Sequence, residues 1–504
     1  MTVVFRADAT DVIGTGHIMR CLTLADQLAD LNENCVFACR HILPVLKARV
    51  LDAGHRLVEL PQSKFHNDAG MPHAHWLSAS WQEDADATLK VEEDNAARWV
   101  VVDHYGLDAQ WERHVAGHGR KMLVIDDLAD RNHDCDILLD QNLHSDPYGR
   151  YASLVAGKTL MLMGQRFGLL RPEFSKGAKL QRAFGLGAIT YCVAFSGADI
   201  MNLTGMTLNV LVAVCKTGDR VYVAASGRNV ELANIAQRCK DHGWQLHVDS
   251  SRLADLMSDS DVAVGAGGGM LWERAAMGLP SIAIAIADNQ REQVAQASAV
   301  GLVSGGDVDT LTPDILRELI LRLRNDVALR QNMSAVCTAT VDGLGAARVA
   351  RRLIASAISL RQANRDDSAN LLAWRNDERI RRVSRNVEII ARADHEQWLI
   401  ATLASDFRRL LIGNDSEGFL GVVRFDLTGA TAEVSIYLVP QRLGGGQGAG
   451  LLLSAEVWLS ENCPGIAKIL ATVLAGNKAS EELFRSCGYH VENSVFVKRI
   501  GTAA

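Results

Sequence analysis

Up to about residue 350, short runs rich in β-branched residues alternate with stretches whose apolar positions recur every three or four residues. Such alternation predicts parallel sheets flanked by helices. A first block predicts strands at Val3–Arg6, Trp99–Asp103, Met122–Asp126 and Ile137–Asp140. It also predicts a helix from about His17 to Leu31, in which Ile18, Leu22, Ala25 and Leu28 make one apolar stripe facing a sheet. A second block repeats the theme at Thr190–Phe195, Arg220–Ala225, Asp261–Gly265 and Ser281–Ile286. Between them, Leu169–Arg182 contains a proline and several basic residues and reads as an interdomain connection. Two similar α/β halves joined in this way predict a cleft that encloses a substrate.

Near Ser359 the pattern changes. Leu371, Leu372 and Trp374 lead into Arg375, Arg379, Arg381, Arg382 and Arg385, a basic and mostly helical segment. Strands are expected at Arg409–Ile412, Phe419–Asp426 and Glu433–Val439, then a glycine-rich loop from Gly444 to Gly450 and a helix led by Leu451–Leu453. A third domain of different character therefore begins about there.

Composition narrows the chemistry. The chain has 504 residues, 48% hydrophobic and 22% charged, enough for about three domains of ordinary globular material. Its formal net charge of −7 gives no broad attraction for nucleic acid or anionic membrane, so any phosphate site must be local. Ten cysteines lack CxxC pairs and read as reduced thiols. The opening MTVVFRADAT is strand-like, without a basic segment followed by an apolar one, and no stretch reaches about 18 apolar residues, so a cytoplasmic location is expected. His73 and His75, two apart beside a proline, do not make a metal pair, and no metal is expected.

Asp8-Ala-Thr-Asp-Val-Ile-Gly14-Thr-Gly16-His17-Ile-Met-Arg20 puts a strand end, a glycine loop, a histidine and a helix start in succession. Gly14 and Gly16 allow a tight turn, and free N–H groups at a helix start favour anionic oxygen. Here His17 is a catalytic candidate, against the alternative of a helix-cap or packing histidine. Asp8, Asp103, His104, Asp126 and Asp127 lie at strand ends or just after them, where α/β enzymes place polar chemistry, though each can equally cap a turn.

The stretch Phe5–Leu24 resembles the start of the UDP-2,4-diacetamido-2,4,6-trideoxy-β-L-altropyranose hydrolases of pseudaminic acid synthesis. Supporting matches follow at His75-Trp76-Leu77 with Asp84-Ala85, at Val101-Val102-Asp103-His104-Tyr105, at Ile125-Asp126-Asp127-Leu128 and at Leu138-Leu139-Asp140-Gln141-Asn142. The resemblance covers roughly residues 1–355. It implies that His17 is catalytic, that Asp8, Gly14, Gly16, Arg20, Asp103, His104 and Tyr105 line the substrate site, and that hydrolysis inverts the anomeric carbon without a metal.

A second glycine loop, Asp261-Val-Ala-Val-Gly265-Ala-Gly267-Gly268-Gly269-Met-Leu-Trp-Glu273, again leaves a strand and enters a helix, a turn whose amides can cradle a pyrophosphate. Glu273 is placed to accept hydrogen bonds from ribose hydroxyls, or is a solvated helix carboxylate. The loop resembles the nucleotide site of GT-B glycosyltransferases related to peptidoglycan N-acetylglucosaminyltransferase. That resemblance implies Gly267, Gly268, Asn289 and Gln290 near the diphosphate or sugar, although Gly269 and Met270 stand where relatives often carry Ser or Thr. The earlier loop Phe195-Ser196-Gly197-Ala198-Asp199 also departs from a double glycine.

In the third block, Val439-Pro440 and the loop Gln441-Arg-Leu-Gly444-Gly-Gly446-Gln-Gly448-Ala-Gly450 resemble the pyrophosphate-binding core of GNAT acetyltransferases, though alone the loop could be a flexible turn. Asn477-Lys-Ala-Ser480-Glu-Glu-Leu-Phe484-Arg-Ser-Cys-Gly488-Tyr489 resembles the helix and turn that follow in that family. Trp374-Arg375-Asn376-Asp377 with Arg381 resembles the subgroup that acetylates the 4-amino group of a UDP-amino-dideoxysugar. The resemblance implies acetyl-CoA as donor, Val439, Gly446, Gly448, Gly450, Asn477 and Ser480 at the coenzyme, and Trp374 and Arg375 at the acceptor. Phe484 replaces the tyrosine many relatives use to protonate the departing thiolate, leaving Tyr489, Tyr437 or water. Glu433 is a candidate base through water or an ordinary strand carboxylate.

The expected architecture is α/β: two Rossmann-like domains in a GT-B arrangement, over 1–168 and 183–357, followed by an α+β GNAT domain over 362–504. The leading functional reading is 4-N-acetylation of a UDP-sugar followed by release of UDP. A GT-B glycosyltransferase, or a sugar-nucleotide-binding regulator with a degenerate transferase, remains open. Oligomeric state and sugar stereochemistry are not legible.

Overall fold

Val3 to Ala7 are buried without interruption, as expected of a central parallel strand covered on both faces. In the computed structural model this segment is β1 (Thr2–Ala7). The structure describes all residues except 64–72, 118, 180–181, 196, 251, 356–357, 416, 445–446, 475, 493–494 and 500–504, and only the backbone of 176–179 and 499.

β1 sits inside a seven-stranded sheet with β2 (Asn34–Cys39), β3 (Arg56–Glu59), β4 (Ala97–Asp103), β5 (Lys121–Ile125), β6 (Ile137–Asp140) and β7 (Leu160–Met163). The order is β3-β2-β1-β4-β5-β6-β7 and every pairing is parallel. Strand order reverses between β1 and β4, where Ala7 pairs with Asp103, and the carboxyl ends at such a reversal are where open α/β sheets place ligands. The helix Gly16–Ala29 buries Ile18, Leu22, Ala25 and Leu28, the expected stripe, and ends two residues short of Leu31.

A second sheet holds β8 (Thr190–Ala194), β9 (Arg220–Ala225), β10 (Gln245–Val248), β11 (Val262–Ala266), β12 (Ser281–Ala285) and β13 (Ser304–Asp307). It too is parallel, in the order β10-β9-β8-β11-β12-β13. Its reversal lies between β8 and β11, and the glycine loop at Gly267–Gly268 leaves there. The stretch between the two sheets is more than a tether. Pro172–Lys179 forms 3-10 turns, and Leu170 and Phe174 are buried in the core of the second sheet. The two parallel sheets belong to one compact unit, Met1–Arg348.

Val349–Ala504 forms the other unit. Its sheet runs β14 (Ser359–Gln362), β15 (Arg408–Asp415), β16 (Gly418–Thr428), β17 (Thr431–Leu438), β18 (Lys468–Ala471), β20 (Val495–Arg499) and β19 (His490–Glu492). Cβ atoms at Gly413 and Gly421 would come within 2.3 and 2.5 Å of the Leu451 side chain, so these glycines let the helix Gly448–Asn462 lie close on the sheet. β17 pairs with β16 along its whole length but with β18 only over Thr431–Glu433. Beyond Glu433 the two strands part, and one edge of β17 is left without that partner.

A buried ion cluster reinforces the first sheet beyond β5. His133 Nδ1 lies 2.7 Å from Glu112 Oε1 and its Nε2 lies 3.8 Å from Asp126 Oδ2, while Arg131 pairs with Asp126 at 2.8 Å. Burial alone would lower the imidazole's pKa, but Asp126 and Glu112 push it up to about 9 from 6.5. The folded protein therefore holds a proton that the unfolded chain releases, and this stabilisation is complete below pH 6.5 and lost as pH rises through about 9. The difference in urea midpoint between the wild type and His133→Gln should accordingly narrow across that interval. A difference constant with pH would remove the cluster from the stability of this unit.

Candidate functional site

The turn after β1 is set by Thr10, whose hydroxyl accepts from the N–H groups of Val12 and Ile13, and by Gly14 at φ +82°. The helix begins at Gly16, which places His17 in its first turn. His17, Arg20 and Cys21 share one helical face because they are three and four residues apart. That face meets the end of β4. His17 Nδ1 lies 2.6 Å from Asp103 Oδ1, and Arg20 forks onto both oxygens of the same carboxylate. Arg20 also reaches Asp127 at 3.3 Å, and the Tyr105 hydroxyl donates to Asp127.

Asp103 has no exposed surface. Burial raises its pKa, but Arg20 and then His17 hold it well below the ordinary carboxylate range. A charged Asp103 can only accept, so it fixes a proton of His17 on Nδ1, which in the neutral ring places the lone pair on Nε2. Burial and the neighbouring Asp127 push the Tyr105 phenol up, so it stays protonated. A Cβ at Gly14 or Gly16 would meet nothing within 4 Å, so the loop opens outward beside the imidazole. Around it stand Trp76 and Tyr105, with ring centroids 6.2 and 4.7 Å from that of His17.

Two other expected members of this group are placed elsewhere. Asp8 is fully buried, accepting from Arg6 and from the backbone N–H groups of Arg40 and His41. His104 is buried as well. Its Nδ1 accepts from the Gly106 N–H, and its Nε2 faces Asp8 Oδ2 at 3.4 Å. Asp8 and His104 join Arg6, Asp84 and Arg40 in a buried lattice beneath the loop rather than on its open side.

In the second lobe the glycines divide by role. A Cβ at Gly265 would lie 2.2 Å from Ala194 O, and one at Gly267 2.2 Å from Val294 Cγ2, so these two are there for close packing. Gly268 is half-buried and Gly269 exposed at the start of the helix Gly269–Ala276, where unpaired N–H groups face outward. Glu273, one turn on, has one oxygen 3.5 Å from Arg171 and the other buried without a hydrogen-bond partner. Burial pushes its pKa up. Gln290 accepts from the Ile286 N–H and lies against Gly268, while Asn289 is exposed beside it. Arg171 was absent from the sequence-based group. It pairs with Glu173 two residues on at 2.9 Å, and no local pattern marks its approach to Glu273, 102 residues away. The two lobes touch through His144 with Glu292 at 3.0 Å and through Asn142 with the Trp272 indole at 3.3 Å.

In the Val349–Ala504 unit, Trp374 is buried in the core against Phe419. Arg375 donates to Asn386 O at 2.9 Å, while its Nη1 is buried with no partner, and burial lowers its pKa. Tyr437, pushed up by burial, is its neighbour on β17. Val439 donates its N–H to Leu420 O, closing the end of the strand. Gly448 opens the helix Gly448–Asn462, and Gly450 is packed against Ile354 and Ile358. Gly446 lies outside the described residues. Asn477 caps the helix Lys478–Ser486 by accepting from the Ser480 N–H at 3.1 Å, so this pair stabilises a helix start.

The candidate acid and base of this unit are differently situated. Tyr489 is buried in the core against Phe484, with its hydroxyl enclosed beside Glu456. That position suits packing rather than proton delivery. Glu433 is held by Arg385 at 2.6 Å and Thr472 at 3.0 Å. Burial raises its pKa, but Arg385 and Thr472 together keep it below the ordinary value, which makes it a weak base. Among the described residues no group of three or more His, Cys, Asp or Glu side chains is arranged to hold a metal ion. No described helix is long and apolar enough to cross a membrane.

Residues 358–490 match the family model described as an acetyltransferase (GNAT) domain. Over 263 residues, 52% of this chain and 83% of the relative, the sequence is 27% identical to the UDP-2,4-diacetamido-2,4,6-trideoxy-β-L-altropyranose hydrolase of Campylobacter jejuni. An uncharacterized protein of Methanocaldococcus jannaschii is 24% identical over 301 residues, 58% of this chain and 57% of that one. MurG of Acinetobacter baumannii is a similar solved structure, with TM-score 0.49 and 12% identity, covering 69% of this chain and 98% of its own. The chain thus joins similarity to a UDP-sugar hydrolase with an acetyltransferase domain.

Because Asp103 is the only carboxylate held by both His17 and Arg20 among the described residues, its loss leaves a buried guanidinium without its main counter-charge. Asp103→Ala should lower unfolding stability by about 3–5 kcal/mol in urea titrations of the full chain. A change under about 1 kcal/mol would mean that the three groups relax independently.

Proposed function

We propose that the chain is a bifunctional sugar-nucleotide enzyme of pseudaminic acid synthesis. Its acetyltransferase domain moves an acetyl group from acetyl-CoA to the 4-amino group of a UDP-amino-dideoxysugar. Its amino-terminal unit then hydrolyses the UDP-diacetamido sugar to UDP and free sugar. The domains in this reading span 1–168, 183–357 and 362–504. The observation that carries it is the Asp103–His17 pair at the strand-order reversal, in a chain similar to a hydrolase of this sugar nucleotide.

For hydrolysis, His17 Nε2 takes a proton from water as the water oxygen bonds to the anomeric carbon from the face opposite UDP. The carbon–oxygen bond to the diphosphate breaks, and its electron pair leaves with UDP, inverting the centre. Asp103 stabilises the imidazolium that forms, in the manner of an orienting carboxylate. The open amides at Gly268–Gly269 receive the diphosphate charge, and the unpaired Glu273 oxygen accepts from ribose hydroxyls. Arg20 acts through Asp103 rather than on substrate. Asn289 and Gln290 lie beside the same loop and contact the diphosphate or sugar. No metal takes part in this route.

For acetyl transfer, the parted edge of β17 beyond Glu433 receives the acetyl-pantetheine arm, and amides at Gly448 receive the coenzyme's diphosphate. The amine nitrogen bonds to the thioester carbonyl carbon, the carbon–sulfur bond breaks, and the thiolate takes a proton. Tyr437, whose phenol is kept protonated, suits that last step better than the enclosed Tyr489. Arg375, with a buried N–H lacking a partner, binds an anionic group of the acceptor beside Trp374. The depressed Glu433 orders Arg385 and leaves the amine's proton to water.

His17→Ala should cut UDP release from the diacetamido substrate by about 10³-fold, with no acceptor added, while acetylation of the 4-amino substrate continues unchanged. Retained hydrolysis would remove His17 from the mechanism, and a requirement for an acceptor sugar would make the unit a glycosyltransferase. Arg375→Met should raise KM for the UDP-amino sugar about 10-fold and leave KM for acetyl-CoA unchanged. An equal rise in both would place Arg375 at the coenzyme.

A further inference from the structure

The residues facing the imidazole are aromatic to an extent that hydrolysis alone does not require. Ala74 and Leu77 are buried and anchor the 3-10 turn Ala74–Leu77, which leaves Trp76 half-buried on the other side of the turn. Gly106 lets the loop after β4 settle against this turn, since a Cβ there would come within 2.8 Å of His73 O. Trp76 and Tyr105 then lie 5.6 Å apart at 31°, with His73 at 4.6 Å from Trp76 and 5.5 Å from Tyr105. His17 stands edge-on to both larger rings, at 79° and 80°.

This wall lies within one ring width of the group that acts on the anomeric carbon. A pyranose attacked there must lie along it, whereas the uracil is held away by the ribose and two phosphates. The polar groups behind Tyr105 are already committed to one another: Arg20 to Asp103 and Asp127, and the Tyr105 hydroxyl to Asp127. The faces of the Trp76 and Tyr105 rings are therefore the apolar part of the wall. A hydroxyl pressed against it loses water without gaining a partner, whereas a methyl or acetyl group is favoured.

We infer that the Trp76 and Tyr105 rings form the specificity wall of the hydrolase site, selecting a UDP-pyranose that presents methyl groups, those of a 6-deoxy carbon and of acetyl groups, where common sugars carry hydroxyls. The inference rests on the hydrolytic reading for its placement of the sugar. Its test separates the two by measuring binding as well as turnover.

Calorimetry and UDP release are compared on the full-length chain for the UDP-2,4-diacetamido-2,4,6-trideoxy sugar and for UDP-N-acetylglucosamine, which carries hydroxyls at C4 and C6. The wild type should favour the first by about 100-fold in both Kd and kcat/KM. Trp76→Ala should reduce that preference to below about 10-fold, with the loss falling on the deoxy sugar, and Trp76→Phe should retain most of it. A wild type that binds both ligands equally, or a Trp76→Ala variant that keeps the full preference, overturns the wall. If the wild type binds with the stated preference and releases no UDP, hydrolysis fails as the activity while the specificity wall stands.

Discussion

One buried charge organises the amino-terminal unit: the carboxylate of Asp103, at the end of β4 where strand order reverses. An ion of this kind is costly to bury unless its oxygens are satisfied, and here Arg20 and His17 satisfy them from a single helix face. That requirement fixes the helix against the strand. It also fixes the ring of His17, because the nitrogen nearer Asp103 must carry the proton. A structural need and a chemical one are met by the same contact, and moving the helix along its axis by one residue would break both.

The glycine loops were legible because their demands are local. Gly14 needs a positive φ, Gly268 and Gly269 head a helix, and each loop follows an apolar run that reads as a strand. The stripe Ile18, Leu22, Ala25 and Leu28 was legible for the same reason. Pairings across long separations were not. Asp103 and His17 are 86 residues apart, and nothing in either neighbourhood distinguishes a carboxylate that grips an imidazole from one that caps a turn. Asp8 shows the cost of that ambiguity, since its place at a strand end looks the same in sequence yet leads into a buried lattice. β13, with Ser-Gly-Gly-Asp, has no apolar pattern at all and is a strand only because β12 offers it a parallel edge. Tyr489 could not be separated from a catalytic tyrosine by spacing, because burial against Phe484 is a property of the packed domain.

Charges and polar atoms left without partners are as informative as those that are satisfied. Most buried ions of this protein are paired, as in Arg6 with Asp8 and Asp84 or Arg324 with Asp219. Buried carboxylate and guanidinium atoms without a hydrogen-bond partner, costly to leave so, occur at several places, among them Glu92, Arg274 and Arg330, and those of Glu273 and Arg375 lie beside the two candidate sites. One is an acceptor beside an amide-rich helix start, and the other a donor beside the parted strands of a mixed sheet. Their signs match what each site is proposed to hold, hydroxyl groups in the first case and an anion in the second.

The amide cradles and the side chains around them divide recognition between them. Backbone N–H groups at a helix start bind a diphosphate whatever sugar it carries, and in the proposed reading both halves of this protein rely on them, so a cradle by itself confers little selectivity. Discrimination must come from groups that differ between the sites. In the amino-terminal unit these are aromatic faces around an imidazole whose polar neighbours are already engaged. Such a wall excludes by failing to hydrogen-bond, which is effective only because the carboxylates near it are held by Arg20 and Tyr105 and are not available to a hydroxyl. In the proposed reading, selectivity and catalysis thus depend on the same closed set of ion pairs, with Asp103 at its centre.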